Sequence, residues 1–136
     1  MTPQSKKYER SYAAELMRIA WGDFSGARDL FAAKTKRAEN IYLLAQQALE
    51  KGLKAVLCSN GHPVPFVHDI GIVVAMLQGA QVPPPFGFDL NDLTQYATIR
   101  RYLEGKEEYD EEEIVAVLSA VEEALNWCDL NISKEQ

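Results

Sequence analysis

The chain has 136 residues, 47% of them hydrophobic and 25% charged, which is the size of one domain and enough to bury a core without disulfides or metals. Its formal net charge of −6 argues against broad, non-specific nucleic-acid binding, which relies on positive charge, but leaves room for a local basic groove. Met1 to Arg10 is polar with no apolar stretch behind it, and no apolar run reaches the ~18 residues of a membrane span, so no signal peptide or membrane anchor is expected and the location is read as cytoplasmic.

Tyr8 to Ala33 carries the first helical period, with Tyr12, Leu16, Ile19, Ala20, Phe24, Ala27, Leu30 and Phe31 near one face. Trp21-Gly22-Asp23 is a candidate bend or break, because glycine weakens a helix interior. Lys34 to Asn40 lacks bulk but holds no Gly or Pro, which leaves the boundary open.

A second helix is predicted from about Ala38 to Cys58. Its centre, Ala45 to Ala55, has three faces. Ala45, Ala48, Gly52 and Ala55 form a stripe of small side chains that lets another helix pack closely. Leu49, Leu53 and Val56 form a bulky stripe beside it. Gln46, Gln47, Glu50, Lys51 and Lys54 fill the remainder. Glu50 stands four residues before Lys54, the favoured order for a helical ion pair, and an exposed pair of that kind contributes only ~0.3–0.5 kcal/mol.

Ser59-Asn60-Gly61-His62-Pro63 punctuates a turn. A third helix follows with Val67, Ile70, Val73, Val74 and Leu77 on one face. Asp69, near its start, suits the positive end of the helix dipole. Gly79 to Gly87 is a loop stiffened by Pro83-Pro84-Pro85. Asp89 can cap a fourth helix carrying Leu90, Leu93, Ala97 and Tyr102, closed by Gly105. Asp110 opens a fifth, where Glu113 completes a variant capping box. Its buried stripe is Ile114, Val117, Leu118, Val121, Leu125 and Cys128. No alternating strand pattern competes. The expectation is an all-α bundle of four to five helices in one domain spanning 1–136, with a core over about residues 8–130. Cys58 and Cys128 are read as buried thiols rather than a disulfide.

Four places in the chain resemble the HEPN domain family, whose name stands for higher eukaryotes and prokaryotes nucleotide-binding. Ala20, Asp23, Phe24 and Ala27 are similar to its opening pattern. Ala45 to Ala55 closely resembles its Gln-Ala-x-Glu-Lys-x-Leu-Lys-Ala signature. Gly61 with His68-Asp69-Ile70 resembles the loop and His-Asp-Leu start of its third helix. Tyr96 to Tyr102, with Arg101-Tyr102, resembles its Arg-Tyr-Pro region. The resemblance implies an up-and-down bundle, usually a homodimer. It further implies a nucleotide- or RNA-related role, with toxin–antitoxin pairing to a nucleotidyltransferase partner in part of the family. The ribonuclease branch carries an Arg, then a His four to six residues on, then a Tyr two beyond. Here Arg101 and Tyr109 keep that register, but Glu107 stands at the position of the His and Leu103 replaces the Pro.

Arg101 offers a planar fork of donors for phosphate oxygens, and Arg100 beside it is read as a solvated or salt-bridged neighbour of Glu104, Glu107 or Glu108. Tyr102 can stack on a base. Lys54 is the third candidate ligand residue. Metal-free RNA cleavage wants a group titrating near neutrality, which His supplies and Glu107 does not. The preferred reading is therefore a binding domain without the catalytic His, using Arg101, Tyr102 and Lys54. The competing reading is a metal-independent ribonuclease using Arg101, Glu107 and Tyr109. A third is a purely structural interaction module that offers its small-residue stripe to a partner. Lys34, Lys36, Arg37, Lys51 and Lys54 form a possible basic strip. Cys58, His62 and His68 match no metal-ligand spacing, so neither a metal nor another cofactor is expected.

Overall fold

The computed structural model describes residues 3–66, 68–85 and 111–132, with side chains from Ser11 onward. Helix α1 spans Pro3–Ala32, α2 Ala38–Ser59, α3 Ile70–Gly79 and α4 Glu111–Ile132. Every regular element among the described residues is helical, as the apolar spacing predicts. The helix expected from Asp89 to Gly105 and the capping role of Asp110 lie outside the described residues, as does Val67.

Residue pairs across the helices fix their directions. Asp23 bonds Lys51, and a Cβ on Gly26 would touch Leu44. One number rises as the other falls, so α1 and α2 are antiparallel. Trp21 donates to Asp129 and Arg28 reaches Glu122, so α1 and α4 are antiparallel as well. Tyr42 donates to Glu113 at 2.6 Å, and Gly52 faces Leu125 and Cys128. Helix α4 therefore runs parallel to α2. Glu113 accepts this bond from a residue of α2, a partner the capping-box pattern does not reveal.

Helix α2 packs against all three of the others. Every residue from Gly52 to Cys58 is buried, nearly two turns, so this stretch is covered on all sides. The small-residue stripe lies wholly inside: Ala45, Ala48 and Ala55 are 0% exposed. A Cβ added at Gly52 would stand 2.6 Å from Leu125 Cδ2 and 3.3 Å from Cys128 Sγ. At Gly52 the stripe seats α4 of the same chain. It is not a surface for a partner, which corrects the reading of this stripe as an interaction module.

Helix α1 runs unbroken through Trp21-Gly22-Asp23, against the expected bend. A Cβ at Gly22 would meet nothing within 4 Å, so the glycine costs only its ~1 kcal/mol of propensity. Its neighbours are tied to Asp129 and Lys51 on two other helices. The buried face of α1 also includes Ala13 and Met17, while Ile19 is half-buried and Tyr12 exposed.

Helices α1, α2 and α3 end in one motif. The N–H of Lys34 meets the carbonyl of Phe31 and that of Thr35 meets Leu30; Gly61 and His62 meet Cys58 and Leu57; Gln81 and Val82 meet Gln78 and Leu77. Lys34, Gly61 and Gln81 take the left-handed conformation this requires, with φ of 56°, 82° and 63°. Only Gly61 has the residue type that marks such an end in a sequence.

Gly52→Val puts three carbons where the first already collides with a packed leucine. We expect it to cost about 1–3 kcal/mol, read as a lower urea midpoint with unchanged slope. Wild-type stability in this variant would mean α4 does not sit on Gly52.

Candidate functional site

One end of α2 opens into a groove of about 470 Å³. Tyr12 and Leu16 of α1 form one wall. The loop from His62 to Phe66 forms another, and Glu50, Lys51, Lys54 and Cys58 of α2 line the floor. The walls are mostly apolar or ring-bearing. Phe66 is fully exposed and Tyr12 is 43% exposed, so both rings are open to a ligand.

Two features hold the loop. The left-handed turn at Gly61 reverses the chain out of α2. Asp69 caps α3, its Oδ1 accepting from the N–H of Gly71 at 2.8 Å. Between them the chain delivers His68 to the groove. Its Nδ1 lies 3.0 Å from Glu50 Oε2, and Lys54 Nζ lies 2.8 Å from the same oxygen. The side chains of Glu50 and Lys54 are 7% and 8% exposed, and that of His68 is 85% exposed. This overturns the reading of Glu50–Lys54 as an exposed helical pair. The i,i+4 spacing is as predicted, but the pair is buried in the folded chain, and burial removes the water that makes surface pairs weak.

Lys51 is tied to Asp23 of α1 at 2.6 Å. The proposed basic strip does not form. Lys51 and Lys54 are each matched by a carboxylate, Arg37 faces Glu39, and the α1–α2 turn stands about 20–25 Å away along α2 at 1.5 Å per residue. Arg100, Arg101, Tyr102, Glu107 and Tyr109 lie outside the described residues. Of the candidate site residues, Lys54 is thus placed, in a groove whose other members the sequence does not single out as a set. Tyr12 and the 63–66 wall carry no motif. The legible signals here are the Gly61-His62-Pro63 turn at the start of this loop and His68-Asp69 at its end.

Gln46, one turn before Glu50, is also buried, and its Oε1 accepts no hydrogen bond among the described residues. Cys58 and Cys128 are buried thiols that are not joined in a disulfide, as expected. Burial pushes the Cys128 thiol well above the ordinary range, with Asp129 adding to the shift. On the surface, Arg18 lies against Glu15, and the hydrogen bond between them lowers the Glu15 carboxyl and raises the Arg18 guanidinium. Among the described residues, no three His, Cys, Asp or Glu side chains gather closely enough to hold a metal ion, and no helix is long and apolar enough to cross a membrane.

The block from Ala45 to Ala55 is now seen as the buried rod that carries the Glu50–Lys54 pair. A family model for the HEPN domain matches residues 13–132. The chain belongs to the HEPN family. The match takes in α2, α3, α4, most of α1 and every residue of the groove except Tyr12, and it places the chain among domains generally concerned with nucleotides and RNA. No curated protein and no solved structure matches this HEPN chain.

Removing one member of a buried ion pair strands the other. Lys54→Met should cost roughly 3 kcal/mol, and the double variant Glu50→Leu/Lys54→Met should recover much of that loss. Chemical denaturation of the two singles and the double measures the coupling, and purely additive losses would contradict a buried pair. For Cys128, the native thiol stays protonated at pH values where an unfolded cysteine ionises. The stability linked to it is therefore full below about pH 8.5 and falls as pH rises beyond. Alkylation of Cys128 at pH 8 should track unfolding; rapid alkylation of the native protein would contradict its burial.

Proposed function

We propose that this HEPN domain binds a single nucleotide in the groove between α1, α2 and the 62–68 loop, and that it acts as a binding domain rather than a nuclease. What supports the reading is the Glu50–Lys54–His68 cluster at the floor of a groove walled by rings. A cleft of about 470 Å³ falls in the ~300–1,000 Å³ range of small-molecule sites, which pair apolar walls with a few fixed polar groups. Tyr12, Phe66 and the imidazoles of His62 and His68 offer stacking surfaces for a base. The proposal also carries Arg101 for the phosphate and Tyr102 for stacking, on the chemistry of a guanidinium fork and an aromatic ring.

Glu107 in the place of the family's His favours binding over cleavage. A carboxylate can take a proton from a 2′-hydroxyl but is a poor acid toward the leaving oxygen. We also read the domain as a homodimer and as the HEPN half of a pair with a nucleotidyltransferase. Both come from the family. Light scattering of the pure protein tests the first, and co-purification with a co-expressed nucleotidyltransferase tests the second.

Calorimetric titration with AMP and ATP should give saturable binding of one ligand per chain. Arg101→Ala should weaken it about tenfold, the loss of one charge-assisted hydrogen bond. No saturable binding, or binding indifferent to Arg101→Ala, would remove the proposal. Short RNA incubated with the protein and a chelator should stay intact. Cleavage abolished by Arg101→Ala would instead assign a metal-independent ribonuclease using Arg101, Glu107 and Tyr109.

A further inference from the structure

Glu50 has an asymmetry that bears on which ligand the groove accepts. Both of its hydrogen bonds fall on Oε2, one from Lys54 at 2.8 Å and one with His68 at 3.0 Å. A carboxylate oxygen has about two lone-pair sites, so Oε2 is filled. Among the described residues nothing donates to Oε1, although Glu50 lines the groove. A carboxylate accepts and cannot donate. The ligand group that meets Oε1 must therefore bring an N–H or O–H.

The balance of charge points the same way. Lys51 is matched by Asp23 at 2.6 Å and Lys54 by Glu50. Neither lysine presents an unmatched positive charge to a phosphate. The walls at Tyr12, Leu16, Val64, Pro65 and Phe66 suit a flat, uncharged ring. A neutral ring carrying an outward N–H fits this floor and these walls; a phosphate fits neither.

We infer that the groove takes the base of the nucleotide, not its phosphate, and that Glu50 Oε1 selects a base with an exocyclic amino group, such as adenine or cytosine. This rests on the nucleotide reading above and names the part of the ligand that the groove reads. Replacing the amino group by a carbonyl, as in hypoxanthine or uracil, turns a donor into an acceptor. The carbonyl oxygen then faces the carboxylate, and the ring N–H can reach Oε1 only if the base shifts in the groove, with two acceptors held side by side. Either acceptor against acceptor or a displaced base weakens binding to a site that is held rigid.

The test compares nucleotides that share a phosphate and differ only at this group. AMP should bind at least about tenfold tighter than IMP, and CMP at least about tenfold tighter than UMP. Ratios within about twofold on either pair, or reversed, overturn this inference while leaving nucleotide binding intact. No saturable binding by any of the four overturns the nucleotide reading itself. Glu50→Gln should bring the AMP-to-IMP ratio close to one, and a ratio equal to wild type would overturn the role of Glu50. Because that variant also leaves Lys54 without its carboxylate, its melting curve is recorded alongside. The wild-type comparison stands without it.

Discussion

A carboxylate 6% exposed in the most deeply buried of the described helices is the constraint on which the groove depends. Taking such a group out of water costs several kcal/mol unless close partners offset it. Glu50 finds two. Lys54 comes from the next turn of the same helix, a placement inherent in i,i+4 spacing. His68 comes from beyond the turn, so the chain after α2 has to fold back across the end of the helix to supply it. The left-handed turn at Gly61 and the Asp69 cap are the two fixed points that let it do so. The groove is the space left between that returning loop and α1.

The same helix meets a different demand on its far side. Gly52 lies two residues from both Glu50 and Lys54, about 200° around the axis and so nearly opposite them. There α4 comes in so closely that a methyl group would collide with Leu125. Asp23–Lys51, Trp21–Asp129 and Tyr42–Glu113 tie the three long helices together by polar contacts at their margins. The floor of the groove is thus a helix held on several sides, and residues on it keep their positions better than residues on a loop. A selective hydrogen bond from Glu50 needs that fixity, because a carboxylate free to swing accepts from many directions and discriminates little.

The fold was legible where period and turn chemistry agree. The stripes of α2 and α4, the Asp69 cap and the Gly61 turn all carry residues whose type states their geometry. The end of α1 was hidden because Lys34 adopts a left-handed conformation that glycine usually marks. The unbroken course of α1 was hidden because what holds it straight at Gly22 lies on other helices. The site was legible only in part. Glu50 and Lys54 stood out as a pair, but whether a pair is wet or dry depends on what the rest of the chain lays over it, which i,i+4 spacing does not state. The single oxygen shared by Lys54 and His68 is a three-dimensional fact: eighteen residues separate Glu50 from His68, and no spacing rule joins them. The small-residue stripe shows the converse. Its pattern correctly announced a close helix contact but could not say whether the neighbour belonged to the same chain.

The most direct test of this account is a crystal structure of the protein with AMP bound. It should show the base between Tyr12 and the 62–66 loop, its amino nitrogen at about 3 Å from Glu50 Oε1, and Lys54 and His68 still on Oε2. A base seated elsewhere, or Glu50 turned into solvent away from Lys54 and His68, would contradict it.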